Sequence, residues 1–324
     1  MNSTSSHHSG PAAAAIDIGG TKVLVALVQS GRIIGEAAFA TRTFEEPDAL
    51  VAHAGVAAAE LAQVHEVTIG CGVVAVPGLI DRSSGVVRTA ANIDFRDYPL
   101  AERLGRSLGG VPFEIEDDAN AGALGETYYG AAKGYLDVLY ITISTGIGLG
   151  ILVGGRPVVG ARGAAGELGH VEMVPGGHRC GCGRRGCFEA YASGLAIAKR
   201  GTEVLEQGGH PLLAAAVVDS LHVSAKEVIQ AAENGDSASN EIMRDVIGYV
   251  VRGARLLQLV LDPEVMVFGG GVMSSSFFAE VLITTMRERE GSIDARRADL
   301  PDRSVILGCV HLVDELSARM KGVR

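Results

Sequence analysis

Apolar residues fall along this chain in short, dense runs, each broken off by glycine. Ala13 to Ile18 is one such run, and it leads through Asp17-Ile18 into Gly19-Gly20-Thr21-Lys22. Val23 to Val28 is a second, and after Gln29-Ser30-Gly31-Arg32 a third extends from Ile33 to Phe39. Apolar runs of this length between turn-forming residues predict buried strands, here a three-stranded meander. Asp48 to Val64 is alanine-rich with helical spacing, and Thr68 to Val76 predicts a further buried strand.

The same order returns about 125 residues later. Asp137 to Ile143 predicts a strand, Ser144-Thr145-Gly146 a turn, Ile147 to Val153 a strand, Gly154-Gly155-Arg156 a turn, and Pro157 to Val159 the start of a third strand. Repetition of a whole supersecondary unit predicts a duplicated domain. Two such lobes would face a cleft, with one glycine turn from each reaching into it. Between the copies, Glu114 to Asp118 ends a strand and opens a helix, Ala119 to Tyr129. Helical spacing resumes from Ala190 to Leu205, from Ala225 to Glu233 and from Asn240 to Leu261, where Asp262-Pro263 stops it. Val265 to Phe268 is a strand running into Gly269-Gly270-Gly271. Ser304 to Cys309 reads as a last strand and Val310 to Met320 as a closing helix.

Composition narrows the class. The chain of 324 residues is 47% apolar, without tryptophan, which suits a packed α/β enzyme with room for two domains. Twenty-eight basic against 38 acidic residues leave a net charge of −10, with no Lys/Arg-rich run, so a nucleic-acid partner is disfavoured. The 44 glycines cluster beside apolar strands, where phosphates and sugars are cradled. Met1 to Pro11 is polar and Ser/His-rich, expected as a disordered tail. It lacks the basic start and apolar core of a signal peptide. No window offers the roughly eighteen uncharged apolar residues of a membrane span. A soluble, cytoplasmic, reduced protein with no membrane partner is expected.

Candidate chemistry concentrates in one stretch. His170 precedes Cys180, Cys182 and Cys187, three of the five cysteines within eight residues. Thiolate and imidazole are the ligands Zn²⁺ prefers, and four of them close a tetrahedral structural site. Gly181 and Gly183 let the C-x-C turn bend sharply. His178, two residues before Cys180, is a rival fourth ligand. A disulfide with a spare thiol is the plainer alternative, suited to an oxidising compartment. Cys71 and Cys309 stand in apolar runs and are expected as inert core thiols.

The two glycine turns present backbone N–H groups that can face a phosphate, because no Cβ blocks the approach. Thr21 and Lys22 add donors, and Asp17 stands where a carboxylate could hold a metal ion through water. An ordinary hairpin with a type I′ turn would carry the same glycines. Neither turn is a P-loop. Asp118, at the mouth of a helix, reads either as its N-cap or as a general base toward a substrate hydroxyl. The helix terminus favours its ionised form, which phosphoryl transfer tolerates because the hydroxyl becomes acidic late. Glu167 and Glu189 flank the metal ligands, so a bound metal would fix both, and His170 would keep one ring nitrogen for a hydrogen bond.

Together, Gly166-Glu167-Leu168-Gly169-His170, the run Cys180 to Ser193 and Asp17 to Thr21 resemble the ROK family of sugar kinases, over the chain from about Ala12 onward. The resemblance implies the hexokinase/actin-like ATPase fold: residues 12–118 with about 305–324 as a small lobe, and 119–304 as a large lobe with the zinc site. It assigns His170, Cys180, Cys182 and Cys187 to zinc, favouring His170 over His178. It implies Asp118 as the base for a sugar 6-hydroxyl, with Asn92, Asp118, Glu167, His170 and Glu189 as sugar-binding positions. Gly19, Gly20, Thr21, Lys22, Thr145 and Gly146 match the phosphate loops, and Gly269 and Gly270 the nucleoside side. Mg²⁺ would accompany ATP, with Asp17 its holder, and a homodimer is the family tendency. The family commonly has Asn where this chain has Asp117, a departure that bears on which sugar is read. The expected activity is a hexose kinase acting on glucose. N-acetylmannosamine, N-acetylglucosamine, mannose and fructose are alternative sugars, and polyphosphate is an alternative donor. A sugar-sensing regulator is the non-enzyme alternative, for which Asp17 leaves no room ahead of it for a DNA-binding domain.

Overall fold

The computed structural model describes residues 10–90, 93–208, 210–217, 223–300 and 302–322. The chain separates into two compact units. One holds the residues up to Tyr128, with Val159–Ala164 and the stretch from Arg303. The other holds Tyr129–Val158 and Ala165–Asp302.

In chain order the first unit runs β1 (Ala12–Ile18), β2 (Lys22–Gln29), β3 (Arg32–Ala40), α1 (Pro47–Val64), β4 (Ile69–Val76), β5 (Leu79–Asp81), β6 (Val86–Ala90), β7 (Phe95–Tyr98), α2 (Leu100–Ser107), β8 (Phe113–Asp117) and α3 (Asp118–Tyr129). The second runs β9 (Val138–Ile143), β10 (Ile147–Val153), β11 (Arg156–Pro157), α4 (Glu189–Ala192), α5 (Gly194–Gln207), α6 (Pro211–Ala216), α7 (Ala225–Glu233), α8 (Ser237–Leu261), β12 (Val265–Gly269), α9 (Ser276–Arg289) and β13 (Ala295–Arg297). The chain then returns to the first unit as α10 (Ser304–Met320).

The duplication is visible strand by strand. Among the described residues one five-stranded sheet has the order β3-β2-β1-β4-β8 and the other β11-β10-β9-β12-β13. In each, a meander of three antiparallel strands is followed by two strands parallel to the first. This is the actin-like ATPase architecture implied by the sequence. The small antiparallel sheet β5-β6-β7 belongs to the first unit alone.

Period-two alternation explains how the first sheet is covered on both faces. Ala14, Ile16, Ile18, Val23, Val25, Val74 and Val76 pack with Leu50, Val51, Ala54, Ala57 and Ala58 of α1. Ala13, Ala15, Ala26, Val73 and Ala75 pack with Ala121 of α3 and Ile306, Cys309, Val310 and Val313 of α10. Small alanines on this face let α10 lie close. The alternation carries Asp17 to that same face, at the end of β1.

Three readings change. Ser304 to Cys309 is not a strand but the first turns of α10, a continuous helix. Its β-branched run mimics a buried strand, yet the buried positions Ile306, Cys309, Val310, Val313 and Leu316 recur at helical spacing. Helix α3, which the sequence places at the start of the large lobe, packs on α10 within the first unit. The third strand of the second meander is confined to Arg156 and Pro157.

Candidate active site

The turn between β1 and β2 is not a type I′ hairpin. Neither Gly19 nor Gly20 has positive φ, which type I′ requires. The I′-like turns lie one hairpin later in each copy, at Ser30 (φ 52°)-Gly31 (φ 70°) and at Gly154 (φ 57°)-Gly155 (φ 76°). The Gly19–Lys22 turn is instead a wider loop. Gly19 N–H donates to Lys22 O at 3.0 Å. Thr41 fastens the loop from the end of β3: its Oγ1 donates to Gly19 O at 2.6 Å and its N–H to Thr21 O at 3.0 Å. Thr21 and Lys22 remain exposed. Sequence reading missed Thr41, which lies 22 residues from Gly19 and becomes legible only through the β2–β3 register.

Three carboxylates meet in the first unit. Burial, and then the charge of Asp118, push the Asp17 carboxyl up to about 7 against the pull of Lys22. Burial and Asp118 also raise Asp117 well above the ordinary carboxyl range, while the Asn120 N–H pulls it down. Asp117 Oδ1 accepts that N–H at 3.0 Å. The N-cap of α3 is therefore Asp117, and Asp118 is the first helical residue. Glu116, buried, accepts Arg82 Nε at 3.0 Å in a two-bond ion pair, and its Oε1 accepts the Asp117 N–H at 2.8 Å. Arg82 was also missed, since its partner lies 34 residues away. Asn92 lies outside the described residues.

In the second unit the ligand atoms of His170, Cys180, Cys182 and Cys187 all lie within 4.8 Å of one another. Cys182 Sγ is 3.7 Å from Cys187 Sγ, and Cys180 Sγ is 3.8 Å from His170 Nδ1. Ligands about 2.3 Å from a tetrahedral zinc stand about 3.8 Å apart, whereas a disulfide needs about 2 Å. The donor set and its spacing fit a zinc ion and not an oxidised pair. His178 is elsewhere: its ring packs on Tyr191 at 4.8 Å, and its backbone N–H donates to the Tyr191 hydroxyl at 2.7 Å. Cys71 and Cys309 are buried core thiols.

The glycines of Gly166–His170 are explained by close approach to β10. A Cβ on Gly166 would lie 2.3 Å from Leu149 O, and one on Gly169 2.7 Å from Ile147 O. Glu167 is exposed, with an oxygen 3.8 Å from His170 Nε2. Glu189 Oε2 accepts the Ile147 N–H at 3.1 Å. The Ser144–Gly146 turn, with Thr145 exposed, thus abuts the metal-bearing stretch. Gly269 and Gly270 are forced by β9: a Cβ on Gly269 would meet the Tyr140 hydroxyl at 2.4 Å, and one on Gly270 (φ 89°) the Ile143 O at 2.5 Å. No described helix is long and apolar enough to cross a membrane.

The ROK family model matches residues 13–315, and the chain belongs to that family. A glucokinase of Streptomyces coelicolor is 36% identical over 261 residues, covering 79% of this chain and 81% of that one. A ROK hexokinase from Thermus thermophilus superposes with a TM-score of 0.78 at 32% identity, over 94% of this chain and 99% of that one. A ROK family glucokinase from Streptomyces griseus, solved in complex with glucose and AMPPNP, superposes with a TM-score of 0.80 at 30% identity, over 93% and 98%.

Proposed function

We propose that this protein is a sugar kinase that transfers the γ-phosphoryl group of ATP to the 6-hydroxyl of D-glucose. The observation that carries the reading is the match along almost the whole chain to a glucokinase that binds glucose and AMPPNP.

The first unit supplies the reacting carboxylate. Asp118 orients the 6-hydroxyl and takes its proton. Phosphoryl transfer has a loose transition state, so the base accepts late and positioning dominates. The Gly19–Lys22 loop offers backbone donors and the Lys22 ammonium to phosphate oxygens. Mg²⁺ arriving with ATP would supply charge neutralisation, and Asp17 is the carboxyl that would hold it through water. Burial raises the Asp17 carboxyl to about 7, and a cation beside it would favour the charged form.

The second unit supplies sugar recognition and the second phosphate turn. His170, Cys180, Cys182 and Cys187 would hold a structural zinc, which would fix the backbone on either side of them. Glu167 and Glu189 accept from sugar hydroxyls, and His170 donates from its remaining ring N–H. Asn92 is assigned to the sugar with them. Thr145 and Gly146 face phosphate, and Gly269 and Gly270 let the nucleoside lie against backbone.

A coupled assay with purified protein, a panel of hexoses, and ATP or polyphosphate tests the reading. Glucose with ATP should give the highest kcat/KM. Asp118→Asn should leave glucose affinity largely intact while lowering kcat at least about a hundredfold. Turnover near wild type in that variant removes Asp118 from the proton transfer. No sugar-dependent consumption of either donor removes the kinase reading.

A further inference from the structure

Glu189 stands two residues after the ligand Cys187 and opens α4. Its backbone is held inside the metal-bearing stretch: Phe188 N–H donates to Val171 O at 2.9 Å and Ala190 N–H to Cys187 O at 3.0 Å. Its side chain leaves that stretch. Oε2 accepts the N–H of Ile147 at 3.1 Å, the residue that directly follows the Ser144-Thr145-Gly146 turn. A Cβ on Gly146 would come within 2.3 Å of the same oxygen, so the carboxylate lies where only glycine leaves room. Oε1 is 3.7 Å from Cys180 Sγ.

Other holds on the turn come from the same part of the chain. Gly194 N–H donates to Ser144 O at 2.7 Å, and Leu195 N–H to Thr145 O at 3.3 Å. Gly169, beside the ligand His170, abuts Ile147 O. All these groups fall within residues 169–195, the stretch that carries the four candidate ligands.

We propose that Glu189, besides its place at the sugar, is a positioning residue for the phosphate donor, carrying the order of the metal cluster into the Ser144–Gly146 turn through Oε2 so that the turn's grip on the donor depends on the bound metal. The proposal rests on reading that turn as a phosphate cradle. Its physical basis is direct. Metal binding gives four dispersed ligands a common centre, and the loops between them lose freedom. Cys187 is thereby fixed, and Glu189 with it. A carboxylate accepting an N–H is a charge-assisted bond, stronger than a neutral one. It holds the Ile147 amide at the base of the turn.

The test uses full-length protein, zinc-loaded and chelator-stripped, with Glu189→Ala, Glu189→Gln and Gly146→Ala. Amide hydrogen exchange is read on peptides covering residues 144–149, AMPPNP affinity by calorimetry, and zinc by elemental analysis. Stripping the wild type should speed exchange in this segment. Glu189→Ala should do the same while retaining zinc. Glu189→Gln should stay near wild type, because its amide oxygen still accepts the Ile147 N–H. Gly146→Ala, which pushes the carboxylate aside, should resemble Glu189→Ala and keeps the question decidable if that variant folds poorly. AMPPNP affinity should fall about tenfold where exchange speeds up. Unchanged protection of residues 144–149 in both stripped protein and Glu189→Ala overturns the coupling. Faster exchange with unchanged AMPPNP affinity overturns its bearing on the donor. A zinc-loaded wild type that binds no AMPPNP sinks the phosphate reading of the turn, while the exchange data still decide the coupling.

Discussion

Asp117 Oδ1 accepts the backbone N–H of Asn120 at 3.0 Å, so the residue before Asp118, and not Asp118 itself, caps α3. Asn and Asp are equivalent caps. The Asp that this chain carries at a position where its relatives are expected to have Asn therefore preserves the helix start. Asp117→Ala should be about 1 kcal/mol less stable than Asp117→Asn, which keeps the cap and sheds the buried charge, as read from urea unfolding at neutral pH. Equal losses in both variants would show that the carboxylate charge, and not the cap, holds the helix start.

Asp17 should make stability depend on pH in a definite direction. Its carboxyl titrates at about 7 in the fold against 3.8 ordinarily, because burial and Asp118 disfavour the charge. Between those values the folded chain keeps a proton that the unfolded chain has lost. Stability from this group is therefore greatest at about pH 4, falls as pH rises to about 7, and levels off above. Asp117, also raised, adds a contribution of the same sign. Asp17→Asn should thus melt higher than wild type at pH 8 in magnesium-free buffer, with the difference vanishing near pH 4. Parallel melting curves across that range would mean that Asp17 ionises as an exposed carboxyl does.

Local signals carried far in this chain, and they ran out where partners are distant. The strands Ala12–Ile18, Lys22–Gln29, Val138–Ile143 and Ile147–Val153 were legible because each is a buried apolar run leading into a glycine-containing turn. Their repetition disclosed the duplicated sheet order. The ligand cluster was legible because Cys180, Cys182 and Cys187 crowd together. Local spacing left His170 and His178 open, the family resemblance favoured His170, and the His178 ring packs on Tyr191. The sheet β5-β6-β7 was missed, since Leu79–Asp81 and Val86–Ala90 are short, mixed in polarity and paired through a bulge. Thr41 and Arg82 had no sequence signal, because each acts on a residue brought close only by the tertiary fold. Ser304 to Cys309 misled because a β-branched apolar run looks alike in a buried strand and a buried helix.

That misread helix supplies a sharp test of packing. A Cβ on Gly308 of α10 would stand 1.8 Å from Ala121 O, and one on Gly125 of α3 1.9 Å from Ser304 O. Both obstacles are backbone, so no side chain can swing away. Ser304 Oγ donates to the buried Glu126 Oε1 at 2.6 Å at the same crossing, tying the two helices where they touch. In an open helix, replacing glycine by alanine stabilises by up to about 1 kcal/mol. Gly248 in α8, where an added methyl group would meet nothing within 4 Å, should behave so. Gly308→Ala should do the reverse and cost about 1–3 kcal/mol, since the helices must separate to admit the methyl group. Chemical unfolding of the two variants side by side checks the contrast, because helix propensity is identical in both and only the crossing differs. A Gly308→Ala protein as stable as wild type would mean that α3 and α10 slide apart at little cost.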